Sequence, residues 1–381
     1  MNSSIAFCIG PLTVYWSGLI IAFGALAAFL LTYALYTAHS GRGGVLWLFF
    51  ALSLFFGLVL SRLIHFLSRP EQYAGLFGAF TDFSRGSFWL PSALLGMLPA
   101  AMLMPHLGIH TEAGEILDAA APGAALFTAM VRFSALFNLS CRSAFHVTAR
   151  TFQHLPFAVA SGMTDASGNT VYLFASFFVM GILMLLGAVA LVGFYIRCHG
   201  EKMRFDELRH GNIAKIFLAG YSAAEFVIDS TRADALPLRL FLIRAFNPVL
   251  SSLHLTQIFA ITALCLVMGS YVLALLRARA FERKHRLFLG VFAASLVGCI
   301  ATEILVRRGG KALFLLYAVQ FLLSVLAVAM IFLVYRSCRE PLQQDEDLSE
   351  YGIDASDMDG AAGFLARLWA SFRAFLHRLG L

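Results

Sequence analysis

Apolar positions in this chain do not alternate with polar ones; they run on. Long apolar stretches occupy 14–37, 45–67, 86–107, 117–138, 172–196, 213–230, 257–276, 287–306 and 312–335, most of them near or above the roughly 20 residues that cross hydrocarbon as a helix. Lipid offers the backbone no hydrogen-bond partner, so a run of this length predicts helix. About nine such segments predict an all-α fold, a polytopic membrane helix bundle. The stretches 117–138 and 213–230 give the weakest apolar signal, since each is short or carries charge.

The polar intervals divide the chain further. The connection 68–86 mixes Pro, Gly and aromatic residues, which suits an arm lying at the membrane interface. The connection 139–170 ends in the turn-rich Asp-Ala-Ser-Gly-Asn cluster and reads as a small extracytoplasmic cap. Past Arg339 the segment 340–360 carries acidic side chains and no basic ones, the composition of a disordered linker. In 361–381, Phe364, Leu365, Leu368, Trp369, Phe372, Phe375, Leu376 and Leu379 recur at helical spacing among Arg367, Arg373 and Arg378. That pattern predicts a basic amphipathic helix on the inner membrane surface or on the protein's own cytoplasmic loops. The expected units are therefore a core over 1–276 with its cap at 139–170, two appended transmembrane helices in 277–339, the linker and the final helix.

Composition agrees with the pattern: 60% of residues are hydrophobic and 13% charged, about half the ~25% charge of soluble domains. The net charge of +6 reads as a topology signal rather than a sign of nucleic acid. Lys and Arg are denser in the loops 38–44, 108–116, 197–215, 277–286 and 336–339 taken together than in the opposite ones, which predicts the N-terminus outside and the C-terminus inside. Arg and Lys at 307, 308 and 311 run against that trend. The first apolar run follows a short uncharged start, so it reads as a retained span rather than a cleaved signal. The six cysteines show neither C-x-x-C nor a His/Cys spacing for metal, and no metal site is expected.

Charge inside a span is costly and marks function by default. Arg62 sits in the second segment, Arg132 in the fourth and Glu303 in the eighth. In 221–232, Tyr221, Glu225, Asp229 and Arg232 stand four, four and three apart, which places all four on one helix face. Bland readings exist: Arg62 and Glu303 as side chains snorkelling to water, and Asp229 with Arg232 as an i,i+3 pair at a helix end. Taken with Arg132, the polar face predicts a pocket open outward, with Glu225 and Asp229 facing Arg132 across a cavity and Arg132 holding a lipid phosphate through its planar fork.

These residues resemble the prolipoprotein diacylglyceryl transferase family over roughly 5–276. The stretch 9–31 resembles the family's first span. The segment LDAAAP at 117–122, followed by Arg132 and Asn138, is similar to its D-x-x-A-P and G-R-x-G-N-F-x-N-G-E motifs. Residues 221–232 lie where the family has Y-G-x-x-R-F-x-x-E-x-x-R, and Gln257 matches a further recurrent position. Departures accompany the matches. Ser17 replaces a tyrosine, Pro91 a histidine, Ala135 an asparagine, Ser140 a glutamate, Glu225 an arginine and Asp229 a glutamate.

The resemblance implies attack of a lipobox cysteine thiol on a glyceryl carbon of phosphatidylglycerol, expelling glycerol phosphate. On that reading Glu225 and Asp229 are the catalytic carboxylates, with His146 and His154 as second choices for the base. Arg132, Asn138, Tyr221 and Arg232 bind substrate. No cofactor is called for. The partners are phosphatidylglycerol or another anionic phospholipid, the prolipoprotein signal peptide and the membrane, not nucleic acid, and the place is the bacterial cytoplasmic membrane. Two other readings stay open: a non-catalytic membrane protein of the same fold that binds phospholipid or lipoprotein, and a transporter using the 225–232 face as an ion path.

Overall fold

A computed structural model describes residues 4–10, 12–40, 43–73, 75–81, 89–109, 111–137, 143, 145–165, 168–199, 211–232, 253–307 and 313–350. A short hairpin, β1 (Ile5–Ile9) and β2 (Leu12–Tyr15), turns at Gly10 (φ 58°) and leads straight into α1 (Trp16–Ser40). Then come α2 (Gly44–Ser68), α3 (Leu76–Thr81), α4 (Leu90–Leu95), α5 (Met97–Leu103) and α6 (Ala113–Ser134). A second hairpin, β3 (Ala158–Thr164) and β4 (Thr170–Phe174), precedes α7 (Ser176–His199). The chain closes with α8 (Asn212–Thr231), α9 (Leu255–Arg277), α10 (Arg283–Arg307) and α11 (Leu313–Glu350).

Seven of these helices, α1, α2, α6, α7, α9, α10 and α11, are long and apolar enough to cross a membrane. Among the described residues, two of the expected nine segments fall short of that measure. The stretch 86–107 carries Pro91, Gly96, Pro99 and Pro105, and its described part forms two short helices that break at Gly96 rather than one span. Helix α8 has the length, at 20 residues, but Lys215, Glu225 and Asp229 dilute its apolar character. The expected segment 172–196 begins as strand, with helix only from Ser176. Two small sheets thus decorate an otherwise helical fold. Helix α11 continues to Glu350, so the acidic stretch expected as a linker starts as helix. Gln343, Gln344 and Glu346 are good helix formers, and they extend a helix already nucleated. Residues 351–381, including the expected amphipathic helix, lie outside the described residues.

The outer surfaces of the long helices carry exposed Phe23, Trp47, Phe55, Leu186, Val189, Leu266, Val297 and Phe314. In water this would be an aggregation-prone skin; against lipid tails it is the matching surface. With hydrocarbon outside as well as inside, helices associate by close packing of small residues. Helices α1 and α6 meet this way at Gly24, which faces Met130, and at Gly123, which faces Ala28 and Thr32. A side chain at Gly123 would press on Thr32 Oγ1 at 2.4 Å and on the Ala28 carbonyl at 2.7 Å. Helix α2 approaches α4 and α5 as closely, since a Cβ on Gly96 would fall 2.3 Å from the Gly57 backbone nitrogen.

Two large apolar clusters dominate the described residues. One gathers Phe29, Tyr36, Leu46, Phe49, Ile116 and Tyr195 from the first half of the chain. The other gathers Leu264, Tyr271, Phe292, Leu296, Ile331 and Tyr335 from α9, α10 and α11. Helix α8 joins them, contributing Ile213 to the first and Ala219 to the second.

Helix α8 runs parallel to α6, and the two are tied at both ends. At the start, the buried Asp118 carboxylate accepts the Gly211 N–H (2.6 Å) and the Ala214 N–H (2.8 Å). It thereby satisfies donors that a helix N-terminus leaves orphaned. Gly211 takes φ 103° to make that entry, a conformation open to glycine at no steric cost. Asp118 in LDAAAP is thus a cap supplied from a neighbouring helix. Asp118→Ala is expected to cost about 1–2 kcal/mol, the upper range for losing an N-cap. Thermal unfolding in detergent checks this, and an unchanged midpoint would reject the capping role.

Candidate active site

The other end of the α6–α8 pair holds the charges. Arg132 lies in the last turn of α6 and is 2% exposed; Glu225 and Asp229, both fully buried, lie in the last two turns of α8, with Arg232 as its C-cap. The i, i+4, i+7 spacing brings Glu225, Asp229 and Arg232 onto one face, and that face meets α6. Arg132 pairs directly with Glu225 through Nη2 and Oε1. Arg232 Nη1 sits 3.2 Å from Asp229 Oδ1 and 3.9 Å from Glu225 Oε1. The second Asp229 oxygen, Oδ2, lies 3.0 Å from Nδ1 of His254, the residue that starts α9.

The carboxylates therefore do not face Arg132 across a cavity, as the spacing suggested; Glu225 touches it. Two buried charges of opposite sign held apart would each bear a desolvation penalty alone, and closing the gap offsets part of it by their attraction. A cavity of about 330 Å³ does exist, on the other side of α6. Its walls are apolar, formed by residues such as Phe29, Phe49, Leu54, Leu94, Phe127 and Val131. Val131 precedes Arg132 in the chain, so the apolar space reaches the turn of α6 that carries the arginine.

Tyr221 lies one turn before Glu225, stacked on Phe217 with ring centroids 6.0 Å apart. Its hydroxyl is buried and has no hydrogen-bond partner among the described residues. Asn138 lies outside the described residues. Of the two second-choice histidines, His146 bridges to Leu173 and His154 is exposed with Nδ1 near its neighbour's carbonyl; neither is brought into the ion-pair cluster.

Behind the ion pairs stands a network that residue spacing did not suggest. Ser230 Oγ donates to Glu303 Oε2 (2.6 Å) and accepts from Gln257 Nε2 (2.9 Å) and Gln320 Nε2 (3.0 Å). Gln320 also donates to Glu303 (3.1 Å), and Arg307 Nε holds the other Glu303 oxygen at 3.0 Å. Tyr317 donates to the Ser230 carbonyl (3.2 Å). Glu303 is 1% exposed, so it is not the snorkelling side chain that its place near a helix end allowed. Helices α10 and α11 thus reach the residue next to Asp229. Gln257 continues the chain of bonds, accepting the His254 N–H at 2.9 Å. His254 carried one sequence signal, a histidine three residues before glutamine at the start of an apolar run, an N-cap spacing.

The described part of 143–174 anchors on this end as well. Ser143 Oγ donates to the Thr231 carbonyl (3.0 Å), and Phe145 packs edge-on against Tyr317. The β3–β4 turn is closed by Asn169 N–H bonding Asp165 Oδ1 (2.8 Å). Arg62 forms a separate buried group near the end of α2. It is 1% exposed and reaches the Tyr73 hydroxyl at 3.4 Å, which in turn contacts His65 at 2.7 Å. Burial rules out the snorkelling reading for it.

What this arrangement can do follows from its parts. Two guanidiniums, each with five donors in a planar fork, stand beside two carboxylates and an imidazole at the end of a bundle. Arg232 and His254 are the most accessible members, at 14% and 16% side-chain exposure. Cations suited to a phosphate or carboxylate, groups able to accept a proton and an apolar space behind α6 are thus gathered at one end of the bundle.

Comparison with known proteins agrees. A phosphatidylglycerol-prolipoprotein diacylglyceryl transferase of Paenarthrobacter aurescens is 26% identical over 234 residues, covering 59% of this chain and 71% of that protein. One of Staphylococcus aureus is 26% identical over 238 residues, covering 61% and 79%. One of Bacillus velezensis is 24% identical over 287 residues, covering 73% and 94%. The sequence profile of the prolipoprotein diacylglyceryl transferase family matches residues 4–273, a span that holds every member of the ion-pair cluster, and this integral membrane protein belongs to that family.

Proposed function

We propose that the chain transfers a diacylglyceryl group from phosphatidylglycerol to the lipobox cysteine of prolipoproteins in the bacterial cytoplasmic membrane. The observation that carries this is the joining of Arg132 and Arg232 to Glu225 and Asp229 at one buried end, beside an apolar cavity of about 330 Å³. That volume lies at the lower end of the range of small-molecule sites, ~300–1,000 Å³, and its walls suit part of an acyl chain.

On this reading the lipid phosphate lies between Arg132 and Arg232, with the Tyr221 hydroxyl as a further donor and Asn138 a fourth contact. The cysteine sulfur attacks the glyceryl carbon and the carbon–oxygen bond to phosphate breaks. Its electron pair leaves with glycerol phosphate, where the two guanidiniums stabilise the growing charge. Glu225 keeps Arg132 aimed while the fork's remaining donors take phosphate oxygens. The proton leaving the thiol goes toward the Asp229 side of the cluster. The cap at 139–170 and the charged end face outward, the side on which a translocated prolipoprotein presents its cysteine. The N-terminus is then outside and the C-terminal tail inside; an active alkaline phosphatase fused after Arg339 would reverse this orientation.

The test is complementation of a bacterium depleted of its own prolipoprotein diacylglyceryl transferase, with lipid mass spectrometry on the purified protein. Growth with restored lipoprotein modification is the expected result. Co-purified phosphatidylglycerol without any modification would instead make this a lipid-binding member of the family that does not turn over.

A further inference from the structure

We infer that His254 is the general base that takes the proton from the attacking thiol, with the Asp229 carboxylate beside it as the counter-charge. The inference rests on the transferase reading above and names the group that this reaction requires. A thiol has a pKa of ~8.5 and attacks as thiolate, so at neutral pH a base must receive its proton. The carboxylates of the cluster are poor candidates for accepting it directly. Glu225 is gripped by Arg132, with Arg232 at 3.9 Å, and Asp229 has Arg232 at 3.2 Å. Both carboxylates are also fully buried, out of direct reach of an arriving thiol.

His254 has the geometry that the carboxylates lack. Its Nδ1 stands 3.0 Å from Asp229 Oδ2. The two atoms stand at ion-pair distance, and the pair becomes charged on both sides once the ring takes a second proton, the state that transfer from the thiol to Nε2 would create. No described residue bonds Nε2, and the side chain is 16% exposed, among the most accessible in the cluster. The residue's own backbone is fixed. Gln257 Oε1 accepts its N–H at 2.9 Å, and Gln257 Nε2 is bonded in turn to Ser230 Oγ at 2.9 Å.

The two oxygens of Asp229 therefore serve two partners. Oδ1 faces Arg232, a cation for the departing phosphate, and Oδ2 faces His254, an acceptor for the arriving proton. One carboxylate sets the spacing between nucleophile and leaving group. The step balances without a further reactant. The S–H proton moves to Nε2, the S–C bond forms as the C–O bond breaks, and the imidazolium later releases its proton to the leaving phosphate or to water.

The experiment compares the full-length protein with its His254→Asn variant in phosphatidylglycerol mixed micelles. The acceptor is a synthetic peptide carrying a lipobox cysteine, and the thioether product is read by mass across pH 6–9. Asparagine is as good a helix N-cap as any residue, so the start of α9 is kept, and a melting curve of each protein accompanies the assay. The groups facing His254 are Asp229, Glu225 and Arg232 from α8 and Arg132 from α6, with Glu303 and Arg307 behind Ser230 from α10; all are unchanged in the variant. The expected result is a kcat lowered about 100-fold or more near neutral pH, the scale of general-base catalysis, with KM little changed. The deficit should shrink toward pH 9, where the thiol ionises unaided. A variant that keeps its rate to within about threefold, or a deficit that does not narrow with pH, overturns the assignment while the transferase reading stands. Absence of product from the unaltered protein overturns both.

Discussion

Arg132→Gln should abolish diacylglyceryl transfer and also weaken the fold, and the two losses should be separable. In the native protein Arg132 and Glu225 are both buried, side by side. Removing the guanidinium leaves the Glu225 carboxylate, among the described residues, with Arg232 alone, 3.9 Å away. Breaking a buried pair on one side costs about 3–5 kcal/mol, chiefly because the surviving charge stays desolvated. The Arg132→Gln, Glu225→Gln double variant removes both charges and should regain much of that stability, since two amides can bond each other. It should not regain transfer, because the cation for the leaving phosphate is still missing. Arg132→Lys should recover transfer in part, as ammonium supplies charge without the bidentate fork. Melting curves and product yield across the four proteins check this. A double variant that transfers at the native rate would make Arg132 one half of a structural ion pair and nothing more.

Glu303→Leu should be nearly as damaging, although Glu303 lies beyond the family match. Its carboxylate receives Ser230, Gln320 and Arg307, and leucine leaves three donors without their acceptor. Arg307 is 33% exposed and can turn to water, which discounts its share. Ser230 can turn to the Phe226 carbonyl at 3.0 Å, but Gln320 remains inside with one N–H unpaired, and such a loss costs about 1–3 kcal/mol. Transfer should fall with stability, because Ser230 is the residue after Asp229 and, through Gln257, holds the start of α9. Glu303→Gln keeps an acceptor oxygen and should be mild by comparison. Detergent melting and the transfer assay read both. Equal behaviour of the leucine and glutamine variants would show that α10 and α11 merely stand beside the site.

That part of the site was hard to read from sequence for a physical reason. Glu225, Asp229 and Arg232 share one helix, so their spacing alone places them together, and an arginine in an apolar run draws notice to Arg132. Glu303 and Gln320 sit on separate helices, and nothing in the periodicity of either points at Ser230. His254 stands 25 positions from Asp229 in the chain, a separation that carries no helical phase. The long spans were legible because hydrocarbon demands a stretch of apolar residues of fixed minimum length. Two segments depart from the plain apolar span, one in backbone and one in composition. Pro91, Gly96 and Pro99 break a run whose hydropathy is unexceptional, and α8 trades apolar residues for the charges that make it useful. The cavity was expected between Arg132 and the carboxylates, yet it lies on the opposite side of α6. Sequence reports which residues share a face, not which neighbour that face closes upon.

Purified full-length protein, phosphatidylglycerol with a deuterated diacylglyceryl portion and a peptide bearing a lipobox cysteine provide the most direct measurement. The peptide mass is read before and after incubation. The account predicts a gain equal to one labelled diacylglyceryl group on the cysteine sulfur, with release of glycerol phosphate and no gain for a serine-substituted peptide. Unchanged peptide mass, with labelled lipid bound to the protein and recovered intact, would contradict it.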